Sequence, residues 1–138
     1  MRNVYVFESR RRWVPELARQ FHEADVRVRG FQSVTDLTAA AVKRPADVAV
    51  LELEAAAADC LRWLANQAGA APRTPVVVIG GPRAAGLELP VRELGAEFVF
   101  DTIGGAPLAE VCRRQWRAGP SRLLCQDQRD INDRRPTE

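Results

Sequence analysis

Two acids stand where short apolar runs give out. Glu8 follows Val4-Tyr5-Val6-Phe7, and Glu52 follows Val48-Ala49-Val50-Leu51; a third short run is Phe98-Val99-Phe100. A carboxylate at the end of a buried strand, with a turn directly after it, is a common place for chemistry, because in open parallel sheets reactive groups gather at the carboxyl ends of the strands. Ser9 lies beside Glu8, Thr102 follows Asp101, and Gly80-Gly81 closes the apolar run Val76-Val77-Val78-Ile79. Glu8 and Glu52 could share a divalent ion, but a hard cation wants about six or more oxygens and two carboxylates are a poor start. Guanidinium groups are available from Arg10-Arg11-Arg12 after the first run and from Arg83 after the fourth. Arg10 or Arg83 could form a salt bridge with Glu52, or could simply be an exposed charge at a helix entry.

The elements that position these groups follow from the hydrophobic pattern. The runs at 4–7, 48–51 and 76–79 are continuously apolar and predict strands buried on both faces. Val26-Arg27-Val28-Arg29 alternates and predicts a strand with one wet face, and 98–100 is short. Between them, Val14, Leu17, Ala18, Phe21 and Ala24 fall on one helical face. Ser33 and Asp36 form a capping box ahead of Leu37, Ala40 and Ala41. Leu61, Leu64, Ala65 and Ala68 define a third helix, and Leu108, Val111 and Cys112 define a last one. Gly86 and Pro90 leave room only for a short or irregular helix, over Pro90 to Leu94. Alternating strand and helix means an α/β fold with a parallel sheet. The three wholly apolar strands belong in its centre, which gives a doubly wound five-stranded sheet ordered 2-1-3-4-5.

Composition narrows the function classes. The chain has 138 residues, 46% of them hydrophobic and 28% charged, with a net charge of +2, as expected of one globular domain. We expect a domain over residues 1–117 and a mobile tail over 118–138. The positive charge is scattered, and no nucleic-acid reading element accompanies it. Cys60, Cys112 and Cys125 are an odd number at wide spacing beside a single histidine, His22. This argues against a disulfide framework or a zinc site and suits a reducing cytoplasm. No apolar run is long enough for a membrane span. No phosphate-binding glycine motif is present, so no cofactor is expected. Trp13, Trp63 and Trp116 read as partly buried at helix–sheet seams rather than as binding anchors.

The central motif resembles a known family. Leu51-Glu52-Leu53, five less specific residues, then Asp59-Cys60-Leu61 is similar to the heart of response-regulator receiver domains, where Leu-Asp-Leu-x-Met-Pro-x-x-Asp-Gly-Leu is expected. Thr74-Pro75-Val76 resembles the entry to the family's fourth strand, and Glu93-Leu94-Gly95-Ala96 the turn before its fifth. The resemblance covers residues 2–117 and implies a flavodoxin-like, CheY-like fold. It also implies phosphoryl transfer from a partner histidine kinase to an aspartate, with a magnesium ion, a Ser or Thr and a Lys around the phosphoryl group. Carried over, nearly every position is altered. The acceptor is Glu52, the acidic pair is Glu8 and Ser9, the hydroxyl position is Gly80, the aromatic switch position is Val99, and the lysine position is Thr102. The resemblance therefore implies a pseudo-receiver: not an enzyme, without metal or cofactor, binding a protein partner independently of phosphorylation. Two alternatives stay open, a receiver phosphorylated on Glu52 and a small-anion sensor at the strand ends. Whether Glu52 mimics a phosphoaspartate or is a neutral replacement also stays open, and so do the partner's identity and the oligomeric state.

Overall fold

The computed structural model describes residues 1–23, 25–70 and 73–118. β1 (Arg2–Phe7), β3 (Val48–Glu52) and β4 (Val76–Gly80) are buried almost throughout, as their apolar composition predicts. β2 (Val26–Phe31) alternates between half-buried and exposed positions. With β5 (Glu97–Phe100) they form a five-stranded sheet in the order β2-β1-β3-β4-β5. Every pairing is parallel, and the register sets Phe7 beside Leu51, Glu52 beside Ile79 and Gly80 beside Phe100. That register brings the ends of β1, β3, β4 and β5 to one edge of the domain. The expected doubly wound architecture is therefore present.

Helices cover both faces. On one face α1 (Trp13–Gln20) and α5 (residues 105–118) close over Val4, Val6, Val48, Val50, Val77 and Ile79. On the other, α2 (Val34–Lys43), α3 (Ala57–Ala68) and α4 (Glu88–Glu93) bury Tyr5, Leu51, Leu53, Val78 and Phe98. Burying each such side chain fully contributes about 1.5–3 kcal/mol, so the pleat alternation of β1, β3 and β4 fixes both helical layers at once. Ser33 caps α2 by accepting from the Asp36 N–H at 3.0 Å, as the capping box predicts. Between β4 and α4 the chain forms a 3-10 turn (Pro82–Leu87). The fourth helix is thus short and preceded by an irregular segment, as Gly86 and Pro90 require, although it lies earlier than the expected Pro90–Leu94.

Two helical faces differ from expectation. In α1 the inward residues are Trp13 and Leu17, followed by Phe21, whereas Ala18 is exposed. Ala24 lies outside the described residues. In α3 they are Cys60, Trp63 and Leu64, whereas Ala65 and Ala68 are exposed. In each case a tryptophan takes the core position and rotates the face by about one residue, because an aromatic ring buries far more area than alanine. Trp13 is 1% exposed and Trp63 6%, so neither is the partly buried seam residue expected. Trp116 is half-buried against Phe21, ring centroids 5.3 Å apart. The tail predicted for 118–138 begins inside α5, and the rest of it, with Cys125, lies outside the described residues.

Candidate functional site

The edge where the strands end is built from the loop after β1, the end of β3 and the turn that follows it. Ser9 in the first loop donates from both its N–H and its hydroxyl to Oε1 of Glu52, each at 3.0 Å. Around this pair lies a recess of about 310 Å³ lined by Ser9, Arg10, Arg12, Glu52, Glu54 and Ala55. Two guanidinium groups therefore face two carboxylates, and the recess carries no net charge.

Glu8 does not join it. Its side chain is only 3% exposed and turns back beneath the start of α1. There Oε1 accepts from the Arg12 N–H at 3.0 Å and the Trp13 N–H at 2.8 Å, and Oε2 accepts from the Val14 N–H at 3.0 Å. The first amides of a helix have no internal acceptor, and its positive dipole end favours a carboxylate. Glu8 is therefore a helix cap. The divalent site considered for Glu8 and Glu52 is not assembled. Among the described residues no three His, Cys, Asp or Glu side chains gather around a common point.

The remaining positions are placed as follows. Arg10 lines the recess without an ion pair to Glu52 among the described residues. Arg83 is exposed on the turn after β4 and does not line it, which is the exposed-charge alternative of the two considered for it. The cation that crosses the site is Arg12. Its Nη2 donates to the Asp101 carbonyl at 2.8 Å, beyond the end of β5, and its guanidinium lies 4.1 Å from the Trp13 ring centroid. Sequence reasoning offered Arg12 only as one of three adjacent arginines. Thr102 is exposed, and Ile103 packs against the α1–α5 layer.

Gly80 and its neighbours explain two further departures. Val99 packs on the α1–α5 face, so it cannot face Gly80. The aromatic residue beside Gly80 is Phe98, one position earlier. A side-chain carbon built on Gly80 would overlap the Phe98 ring, with Cε2 only 2.8 Å away, and would touch Ala84 Cβ at 3.4 Å. The missing side chain at Gly80 is thus the space in which Phe98 lies. The turn beyond is held by Glu54, whose Oε2 accepts from the Ala84 N–H at 3.1 Å. Glu54 was not singled out from the sequence, and only its position two residues after Glu52 hints at it. Below the site, Cys60 is buried with Sγ 3.9 Å from the Glu52 carbonyl. Burial first, then the charges of Asp59 and Glu52, push its thiol up to about 12. A thiol so shifted is no nucleophile near neutral pH.

A scan against models of protein families finds no match for this chain, and neither does a search of curated proteins. Solved structures do match. The crystal structure of NtrX from Brucella abortus in complex with ADP aligns with a TM-score of 0.75 at 18% identity, over 98% of this chain and 31% of that one. NtrX in complex with ATP aligns with a TM-score of 0.68, also at 18% identity, over 98% of this chain and 30% of that one. The fold is receiver-like. At this identity the likeness extends to the fold alone, and the chain spans about a third of the length of the NtrX chains it matches. No helix among the described residues is long and apolar enough to cross a membrane.

Proposed function

We propose that the chain is a non-catalytic, phosphorylation-independent receiver-like module of the cytoplasm that docks a protein partner. The observation that carries this reading is the commitment of the acids at the strand ends to structural work. Glu8 caps α1 through three backbone N–H groups, Glu52 is tied to Ser9, and Glu54 holds the turn after β4. Phosphoryl transfer is mostly positioning plus neutralisation of negative charge in the transition state. Here the hydroxyl position is Gly80, filled by Phe98, and the lysine position is the exposed Thr102. Losing one such stabilising donor alone costs about 3 kcal/mol. The anion-sensor alternative gains nothing from a recess in which two carboxylates offset two guanidinium groups.

The test is intact-mass spectrometry after incubation with acetyl phosphate and magnesium. The expected result is a single unmodified species. An added phosphoryl group mapped to Glu52 by fragmentation would overturn the proposal and restore the working-receiver alternative.

A further inference from the structure

A second recess, of about 650 Å³, lies between β2 and α2 and shares no residue with the one at Glu52. Arg27 and Arg29 enter its wall from β2, and Lys43 and Arg44 from the end of α2, with Asp36 the lone carboxylate in the lining. None of the four cations takes part in an ion pair among the described residues. The Arg29 guanidinium stands 5.2 Å from the centroid of Phe31, another wall residue.

Each charge has an ordinary explanation by itself. Cations on an edge strand discourage pairing with other chains, and cations at a helix end complement its dipole. Neither accounts for Asn3, which lines the same recess and is only 6% exposed. Its backbone is satisfied, for its N–H donates to Asp47 Oδ2 at 2.7 Å and its carbonyl accepts from the Asp47 N–H at 2.8 Å. Its side-chain Oδ1 is buried with no hydrogen-bond partner. A buried acceptor without a donor is rare and calls for an explanation. A wall of cations that also holds an unmet acceptor matches a ligand bearing both negative charge and hydroxyl donors, and the volume falls in the range of small-molecule sites.

We propose that this recess binds a small phosphate ester with free hydroxyls, a nucleotide or a sugar phosphate. The phosphate oxygens accept from Arg27, Arg29, Lys43 and Arg44, and on binding the Asn3 amide turns so that Oδ1, closed to solvent in the free protein, accepts from a ligand hydroxyl. The site is independent of the reading given to Glu52, and Glu52→Gln should leave its affinity unchanged.

The test is calorimetric titration of the full chain at physiological ionic strength with four probes: UDP, pyrophosphate, ribose 5-phosphate and inorganic phosphate. Ribose 5-phosphate against phosphate isolates the contribution of the sugar and its hydroxyls, and UDP against pyrophosphate adds the base to it. The gain of UDP over pyrophosphate, compared with the gain of ribose 5-phosphate over phosphate, separates a nucleotide from a sugar phosphate. We expect saturable binding of at least one ester, about tenfold tighter than its bare anion. The exposed pair Lys43→Gln and Arg44→Gln should weaken it by about tenfold or more, with circular dichroism showing the fold retained. Asn3→Leu should erase the preference of ester over anion; if it fails to fold, Arg27→Gln with Arg29→Gln takes its place and must weaken the ester. The proposal is overturned by absence of saturable binding, by equal affinity for ester and anion, or by binding indifferent to the four cations. Stronger binding to an oligonucleotide or to anionic vesicles than to either ester overturns it as well.

Discussion

Replacing Glu8 by Gln separates a structural acid from a metal-binding one. The amide keeps the shape of the side chain and retains one oxygen, which can still accept from the Arg12 and Trp13 N–H groups now held at 3.0 and 2.8 Å. Its nitrogen then falls where Oε2 accepts from the Val14 N–H at 3.0 Å, so donor meets donor at a side chain only 3% exposed. Losing one hydrogen bond to a charged group costs about 1.5–3 kcal/mol, and removing the carboxylate from the helix start costs about 0.3–1 kcal/mol more. The expected loss is therefore about 2–4 kcal/mol, a large share of the roughly 5–15 kcal/mol that holds a domain folded. It should lower the melting temperature by roughly 8–20 °C. Glu52→Gln is the control. Both Ser9 donors reach Oε1 alone, which an amide oxygen replaces, so its cost should stay within about 0.5 kcal/mol. Urea titration followed by tryptophan fluorescence reads both, since Trp13 is next to the cap. Equal stability of Glu8→Gln and the parent would refute the capping argument. So would a rise in the parent's midpoint with added magnesium that disappears in Glu8→Gln, because a ligand stabilises only the state that binds it.

Other consequences can be checked on the same protein. Gly80→Ser forces the Phe98 ring out of its place beside Gly80 and should destabilise by about 1–3 kcal/mol. Combining it with Phe98→Leu should recover part of that loss, and strict additivity in this double-mutant cycle would show that the two residues do not compete for one space. Cys60 and Cys112 are buried, and burial pushes both thiols from an ordinary 9.0 up to about 12. Neither should react with iodoacetamide at about pH 8 until the chain is unfolded, as peptide mapping would show. Because their folded values lie above the unfolded ones, the folded state keeps protons between pH 9.0 and about 12 that the unfolded state releases. Their contribution to stability is therefore complete below pH 9.0 and declines as pH rises through that window. A midpoint in urea that rises over this range would contradict the burial of both thiols.

Much of the fold was legible in the sequence because it rests on short-range pattern. Val4 to Phe7, Val48 to Leu51 and Val76 to Ile79 are apolar at every position, and only a strand covered on both faces can bury them, so they had to be central. Val26 to Arg29 alternates and had to lie at an edge. These statements need only the pleat and the cost of exposing apolar surface. The position of Glu52 at the end of β3 follows from the same strand. What the site became was decided by tertiary structure. Glu8 caps α1 because the loop after β1 folds back on its own helix, and no spacing in the chain distinguishes that from a carboxylate aimed at Glu52. Phe98 lies beside Gly80 and Val99 on the opposite face because successive strand residues alternate, and a position assigned by family spacing does not say which residue fills the space at Gly80. Arg12 was indistinguishable from Arg10 and Arg11 until the ends of β1 and β5 were brought to the same edge, where its guanidinium reaches the Asp101 carbonyl. Composition reports which side chains must be buried, while the partner of a polar atom depends on where distant segments meet in space.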